Sequence, residues 1–107
     1  MNKCRTRLMT CCLLLGVFGS GLGPTNAADA SNGERLAQRW CASCHVISSG
    51  QKGPVNEAPP FASIAKSADF SPAKLALFLL DPHPKMPNMT LSRNEAADLA
   101  AFVARLK

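Results

Sequence analysis

Beyond its N-terminal segment the sequence predicts an all-α fold, and three observations carry that reading. Two Ser-x-x-Glu pairs, Ser31 with Glu34 and Ser92 with Glu95, have the spacing of helix capping boxes. Each opens a stretch whose apolar residues recur every three or four positions, the period of a helix with one buried face. No stretch shows the period of two that a half-buried strand requires.

The chain has 107 residues, room for one domain. Its first 27 residues read as a signal peptide: Lys3, Arg5 and Arg7 precede an apolar run from Leu8 to Phe18, and small residues follow, with cleavage expected after Ala27 or Ala28. The triplet 28–30 also meets the small-x-small rule. The apolar run is about half the length of a bilayer-spanning helix, so stable membrane insertion is not expected; a membrane anchor would follow only if the signal were retained. Leu8-Met9-Thr10 before Cys11 and Cys12 is a poor match for a lipid-attachment site. Removal of the segment takes Cys4, Cys11 and Cys12 with it and leaves Cys41 and Cys44. Nine basic and seven acidic residues then remain, which lowers the net charge from +5 to +2. No basic stripe with interleaved aromatics is left to bind nucleic acid.

Residues 28–107 therefore form the expected domain, a size at which an apolar core alone is marginal. The Ser31 box opens a helix expected over residues 32–44, with Leu36, Ala37, Trp40, Cys41 and Cys44 at helical spacing. Residues 46–60 hold two glycines and three prolines without periodicity, and a loop so long implies that it wraps something. A helical turn is expected over residues 61–66. Ser71-Pro72 places a cap before proline at the first helical position, and the helix it opens ends ahead of Pro82. Its apolar residues run nearly all the way round, which predicts substantial burial. Residues 81–89 carry three prolines and form a stiff, extended loop. The Ser92 box then opens a last helix with Ala96, Leu99, Phe102, Val103 and Leu106 on one face.

The pentapeptide CASCH, Cys41 to His45, carries the chemistry. On a helix its two thiols and imidazole share an arc of about 100°, so they address one object. A zinc site needs four ligands, and His83 is the one other histidine or cysteine in residues 28–107. A redox dithiol would want a strand before its helix. The remaining object is a c-type haem: Cys-x-x-Cys-His is the attachment signature, with a thioether from each cysteine and iron coordinated by the histidine. A second axial ligand must come from far along the chain. Met86, between Lys85 and Pro87 in the stiff loop, is the first candidate; Met89 and His83 are the alternatives.

At this point the chain resembles the class I cytochromes c. The resemblance spans nearly all of residues 28–107: Gly33 eight residues before Cys41, CASCH itself, APPF at 58–61, KMP at 85–87 and DLAAFVARL at 98–106. It implies the cytochrome c fold, with N- and C-terminal helices crossing and shorter helices and loops wrapping one covalent haem. Gly33 and Ala37 resemble the small residues at that crossing, against Leu99 and Phe102. Pro59 resembles the proline whose carbonyl accepts a hydrogen bond from the iron-ligating histidine, here His45, with Pro60 the alternative. Two features depart from the pattern: the stretch between APPF and Met86 is short, and the chain has no tyrosine. Trp40, beside Cys41, is expected to pack on the porphyrin.

The implied function is one-electron carriage in the periplasm by a monomer that is not an enzyme, using haem c with His45 and Met86 as axial ligands. Redox proteins would be its partners, with Lys52, Lys66 and Lys85 available to steer an acidic one. The alternatives are a haem-bearing subunit docked to a dehydrogenase or oxidase, and a haem enzyme or sensor with an open iron position.

Overall fold

The computed structural model describes residues 26–52, 58–82 and 84–107. They form four helices in the order α1 (Ala30–Trp40), α2 (Phe61–Ala65), α3 (Pro72–Leu80) and α4 (Arg93–Ala104), with no strand among the described residues. The helix α4 packs against each of the other three and is the hub of the domain. Leu99, its most deeply buried large side chain, sits among Ala37, Phe61, Ala65, Leu79 and Val103. Among the described residues no helix is long and apolar enough to cross a membrane.

The start of α1 differs from the expected Ser31 box. Its cap is Asp29, whose carboxylate accepts the backbone N–H groups of Ser31 at 2.8 Å and Asn32 at 3.1 Å. A charged acceptor suits the positive end of a helix better than a hydroxyl, and Asp29 satisfies two orphan donors at once. The Asp98 carboxylate on α4 reinforces this end, accepting from the Asp29 N–H at 2.6 Å and the Asn32 side-chain amide at 2.8 Å.

A close approach of the two backbones fixes where α1 crosses α4. Gly33 lies against the backbone of α4, so that a Cβ built on it would meet the Asp98 carbonyl group and come within 2.9 Å of the Leu99 nitrogen. Only hydrogen fits there, which is why a residue of poor helix propensity sits in mid-helix. Ala37, fully buried one turn on, continues the close-packed stripe.

The far end of α1 stops at Trp40, short of the expected end at residue 44. The Ala37 carbonyl accepts both the Cys41 N–H at 2.8 Å and the Ala42 N–H at 3.0 Å, and the chain then tightens into turns around the Cys41 carbonyl. That carbonyl takes the Cys44 N–H at 3.0 Å and the His45 N–H at 2.9 Å.

The cap of α3 is Ser71, although its side chain makes no capping bond, and the helix ends before Pro82. The expected burial of α3 is not found: only Leu79 is buried, while Leu77 is 69 % exposed and Phe78 and Leu80 are also exposed. Among the described residues α4 is its one helical neighbour, and its inner apolar side chains, Leu75 and Phe78 among them, line a cavity beside that interface. At α4 the expected capping box is complete: the Ser92 hydroxyl accepts from the Glu95 N–H at 3.2 Å, and the Glu95 carboxylate accepts from the Ser92 N–H at 2.8 Å.

Candidate haem site

The end of α1, the turn after it, the segment just before α2 and the loop before α4 surround a cavity of about 470 Å³. Trp40, Cys41, Cys44, His45, Pro59 and Met86 all stand on its wall, joined by Met89 and Lys85. A smaller lobe of about 50 Å³ shares Cys41, His45 and Met86 with it and is otherwise walled by apolar side chains of α2, α3 and α4, including Ile64, Leu79 and Val103. Residues more than forty positions apart in the chain are thus brought to one cleft. Lys52 and Lys66 are exposed and lie off this wall, while Lys85 lies on it. His83 lies outside the described residues.

His45 is buried, and its Nδ1 lies 2.7 Å from the carbonyl oxygen of Pro59, not that of Pro60. A carbonyl oxygen can only accept, so Nδ1 carries the proton and Nε2 keeps its lone pair for a metal. The ring is held from the side by Phe61, centroid to centroid at 5.2 Å, and Phe61 in turn meets Phe102 of α4 edge-on at 6.3 Å. The Phe61 N–H donates to the Val46 carbonyl at 2.9 Å, which ties the start of α2 to the segment just after the histidine.

Cys41 and Cys44 are not joined by a disulfide. Burial pushes the Cys41 thiol up to about 11, and the neighbouring Cys44 adds to the rise. An unreacted Cys41 is therefore a neutral thiol at physiological pH and a weak nucleophile. Trp40, 38 % exposed at the cavity mouth, has the Arg39 guanidinium 5.0 Å over its ring. Of the two methionines, Met89 is buried in the core cluster, whereas Met86 is partly buried and borders both lobes.

Two features of the site were not read from the sequence. The first is Phe61 as the ring beside His45. The second is Gln51, whose side chain bonds to the backbone of residues 42, 45 and 47. Nothing marks Gln51 in the sequence, since one polar residue in a loop carries no periodic or motif signal.

The donor set and the wall fit a covalently held haem. Two thiols sit beside an imidazole with its Nε2 lone pair available, a thioether sulfur shares the cleft, and the inner wall is apolar. Residues 28–103 match the family described as "Cytochrome C oxidase, cbb3-type, subunit III". The chain is also 54 % identical over 96 residues to a protein named cytochrome c-552 from Bradyrhizobium diazoefficiens (strain USDA 110), an alignment that covers 90 % of this chain and 91 % of that protein. No solved structure gives a significant match. The chain belongs to the cytochrome c family: it is a small monohaem c-type cytochrome whose cofactor is covalently bound haem c.

Proposed function

We propose that this cytochrome is a periplasmic one-electron carrier in which Cys41 and Cys44 form the thioethers and His45 and Met86 are the axial ligands. Haem c supplies the ferric/ferrous couple. The chain's own residues bind, orient and shield. Pro59 holds the His45 ring through Nδ1 and strengthens Nε2 as a donor. Met86, on a loop stiffened by Pro84 and Pro87, faces the same cleft with a soft thioether that favours the ferrous state. Ile64, Leu75, Leu79 and Val103 keep water from the inner lobe. With His45 and Met86 both holding the iron, little rearrangement would accompany the gain or loss of an electron, and no coordination site would be left for a substrate.

The observation that carries this reading is the single cleft bordered by Cys41, Cys44, His45 on its Pro59 bond, and Met86. A pyridine haemochrome spectrum of the purified protein tests the attachment; a signature other than two thioethers rejects it. For the ligand, Met86→Ala should remove the weak sulfur-to-iron absorption band at the red end of the visible spectrum and lower the potential, while Met89→Ala should keep the band. The reverse result would assign the ligand to Met89.

Export rests on the basic and apolar pattern of residues 1–27. The Asp29 cap favours cleavage after Ala27 or Ala28, since cleavage after Ala30 would remove it. N-terminal sequencing of the protein from the periplasmic fraction checks both. A second reading, a subunit docked to an oxidase, draws on the description of the matched family and on the exposed Leu77, Phe78 and Leu80 of α3. Size-exclusion of a native extract separates the two: a carrier elutes as a small protein, a subunit with its complex.

A further inference from the structure

We propose that Gln51 is a positioning residue for His45, clamping the backbone turn on which the haem-binding side chains are mounted; the proposal rests on the reading of His45 as an axial ligand. Gln51 is half-buried, and its side chain makes three bonds to one short stretch of main chain. Its Oε1 accepts from the Ile47 N–H at 2.9 Å, and its Nε2 donates to the carbonyls of Ala42 and His45, both at 3.0 Å.

The need for such a clamp follows from where α1 ends. Beyond Trp40 the chain has no helical ladder to occupy the carbonyls of the turn, and buried carbonyls without a donor are costly. Gln51 supplies two of those donors and covers an amide as well. The three groups it holds bracket the motif: Ala42 follows Cys41, the second is His45 itself, and Ile47 is the buried residue beyond it. The Pro59 and Phe61 contacts fix the imidazole ring, but they do so relative to a backbone that Gln51 holds.

The chemistry selects an amide of this length. Glutamate has the same shape and can still accept from Ile47, yet as a carboxylate it loses both donors and faces two carbonyl oxygens. Methionine keeps the volume and loses all three bonds.

The test compares haem-bearing protein carrying Gln51→Glu or Gln51→Met with wild type, and with Asp29→Ala as a destabilised control at the opposite end of α1 from the cavity residue Trp40. Three quantities are read: amide exchange at Ile47, the hyperfine-shifted ring resonances of His45 in the oxidised protein, and the reduction potential. Loss of a buried hydrogen bond predicts Ile47 exchange about tenfold faster in both Gln51 variants, with displaced His45 resonances and a shifted potential. Asp29→Ala should lose stability with all three unchanged. Should Gln51→Met fail to mature, Gln51→Glu decides. His45 resonances and a potential identical to wild type in the variants overturn the proposal, whatever their thermal stability. A wild type whose His45 resonances carry no iron shift rejects the ligand reading itself, and the proposal with it.

Discussion

Thr90 holds its backbone at φ 52°, in the left-handed region that a β-branched side chain rarely adopts. It follows Met89, which is buried in the core, and precedes Leu91, which leads to the α4 cap. Asn88 supports the turn, its Oδ1 accepting from the Thr90 N–H at 3.0 Å. Strain of this kind persists where surrounding contacts over-determine the backbone, here beside the loop that carries Met86. Asparagine tolerates the same conformation, so Thr90→Asn should stabilise the haem-bearing protein by about 1 kcal/mol in denaturant titration. A loss of stability would show that the threonine side chain holds the loop by contacts that outweigh its strain. Glycine should help less, because it also loosens the unfolded chain. Residue-level features of this sort are the least legible in a sequence. CASCH and KMP announce themselves through rare residue types at fixed spacing, whereas Thr90 and Gln51 take their roles from where a turn happens to place them.

The helices make separate and testable demands. At the α1–α4 crossing, Gly33→Ala gains up to about 1 kcal/mol of helix propensity but forces a methyl group into the main chain of Asp98 and Leu99. Backbone cannot rotate away as a side chain can, so a net loss of about 1–3 kcal/mol is expected in thermal unfolding of the haem-bearing protein. Unchanged stability would mean that the helices separate without cost. The caps carry a pH dependence. Hydrogen bonds from the Asn32 and Ser31 backbone lower the Asp29 carboxyl below its ordinary 3.8, and bonds from Ser92 lower Glu95 below its ordinary 4.5. A depressed carboxyl stabilises the fold above its unfolded value and loses that contribution as pH falls through the folded one. Asp29→Ala should therefore lower the unfolding midpoint at neutral pH, and the gap to wild type should narrow as pH falls through and below the ordinary carboxyl value of 3.8. A gap constant over that range would mean that the cap acts without its charge. Helix existence and the Ser92 box were legible because periodicity and capping are local. The Asp29 cap was masked by the Ser31–Glu34 spacing, which fits the motif equally well; what favours Asp29 is the Asp98 carboxylate, contributed from 69 positions away.

As a whole, the molecule is arranged around a cleft whose border, with its inner lobe, draws residues from all four helices. The inner side chains of α2, α3 and α4 that would face one another in a simple bundle instead border the lobe shared by Cys41, His45 and Met86. That accounts for the incomplete burial of Leu75 and Phe78 on α3, whereas Leu77 and Leu80 lie off the lobe on the outer surface. Periodicity reports which residues avoid water and is silent about whether a neighbouring helix or a prosthetic group covers them. The size of the domain points the same way, since roughly 80 residues seldom supply a sufficient core without a staple. Replacing both cysteines, Cys41→Ala with Cys44→Ala, removes the covalent tether. The resulting chain should lose the cooperative unfolding transition of the haem-bearing protein and most of its helical circular dichroism, because α3 would have one packed face and α1 only its crossing with α4. Added haem should restore helix content in part, through His45 and the apolar lobe, with a midpoint that rises with haem concentration. A variant that melts cooperatively without haem, at a temperature near that of the wild type, would place the stability in the α1–α4 crossing and the caps, and would reduce the cleft to a binding site on a domain that folds without it.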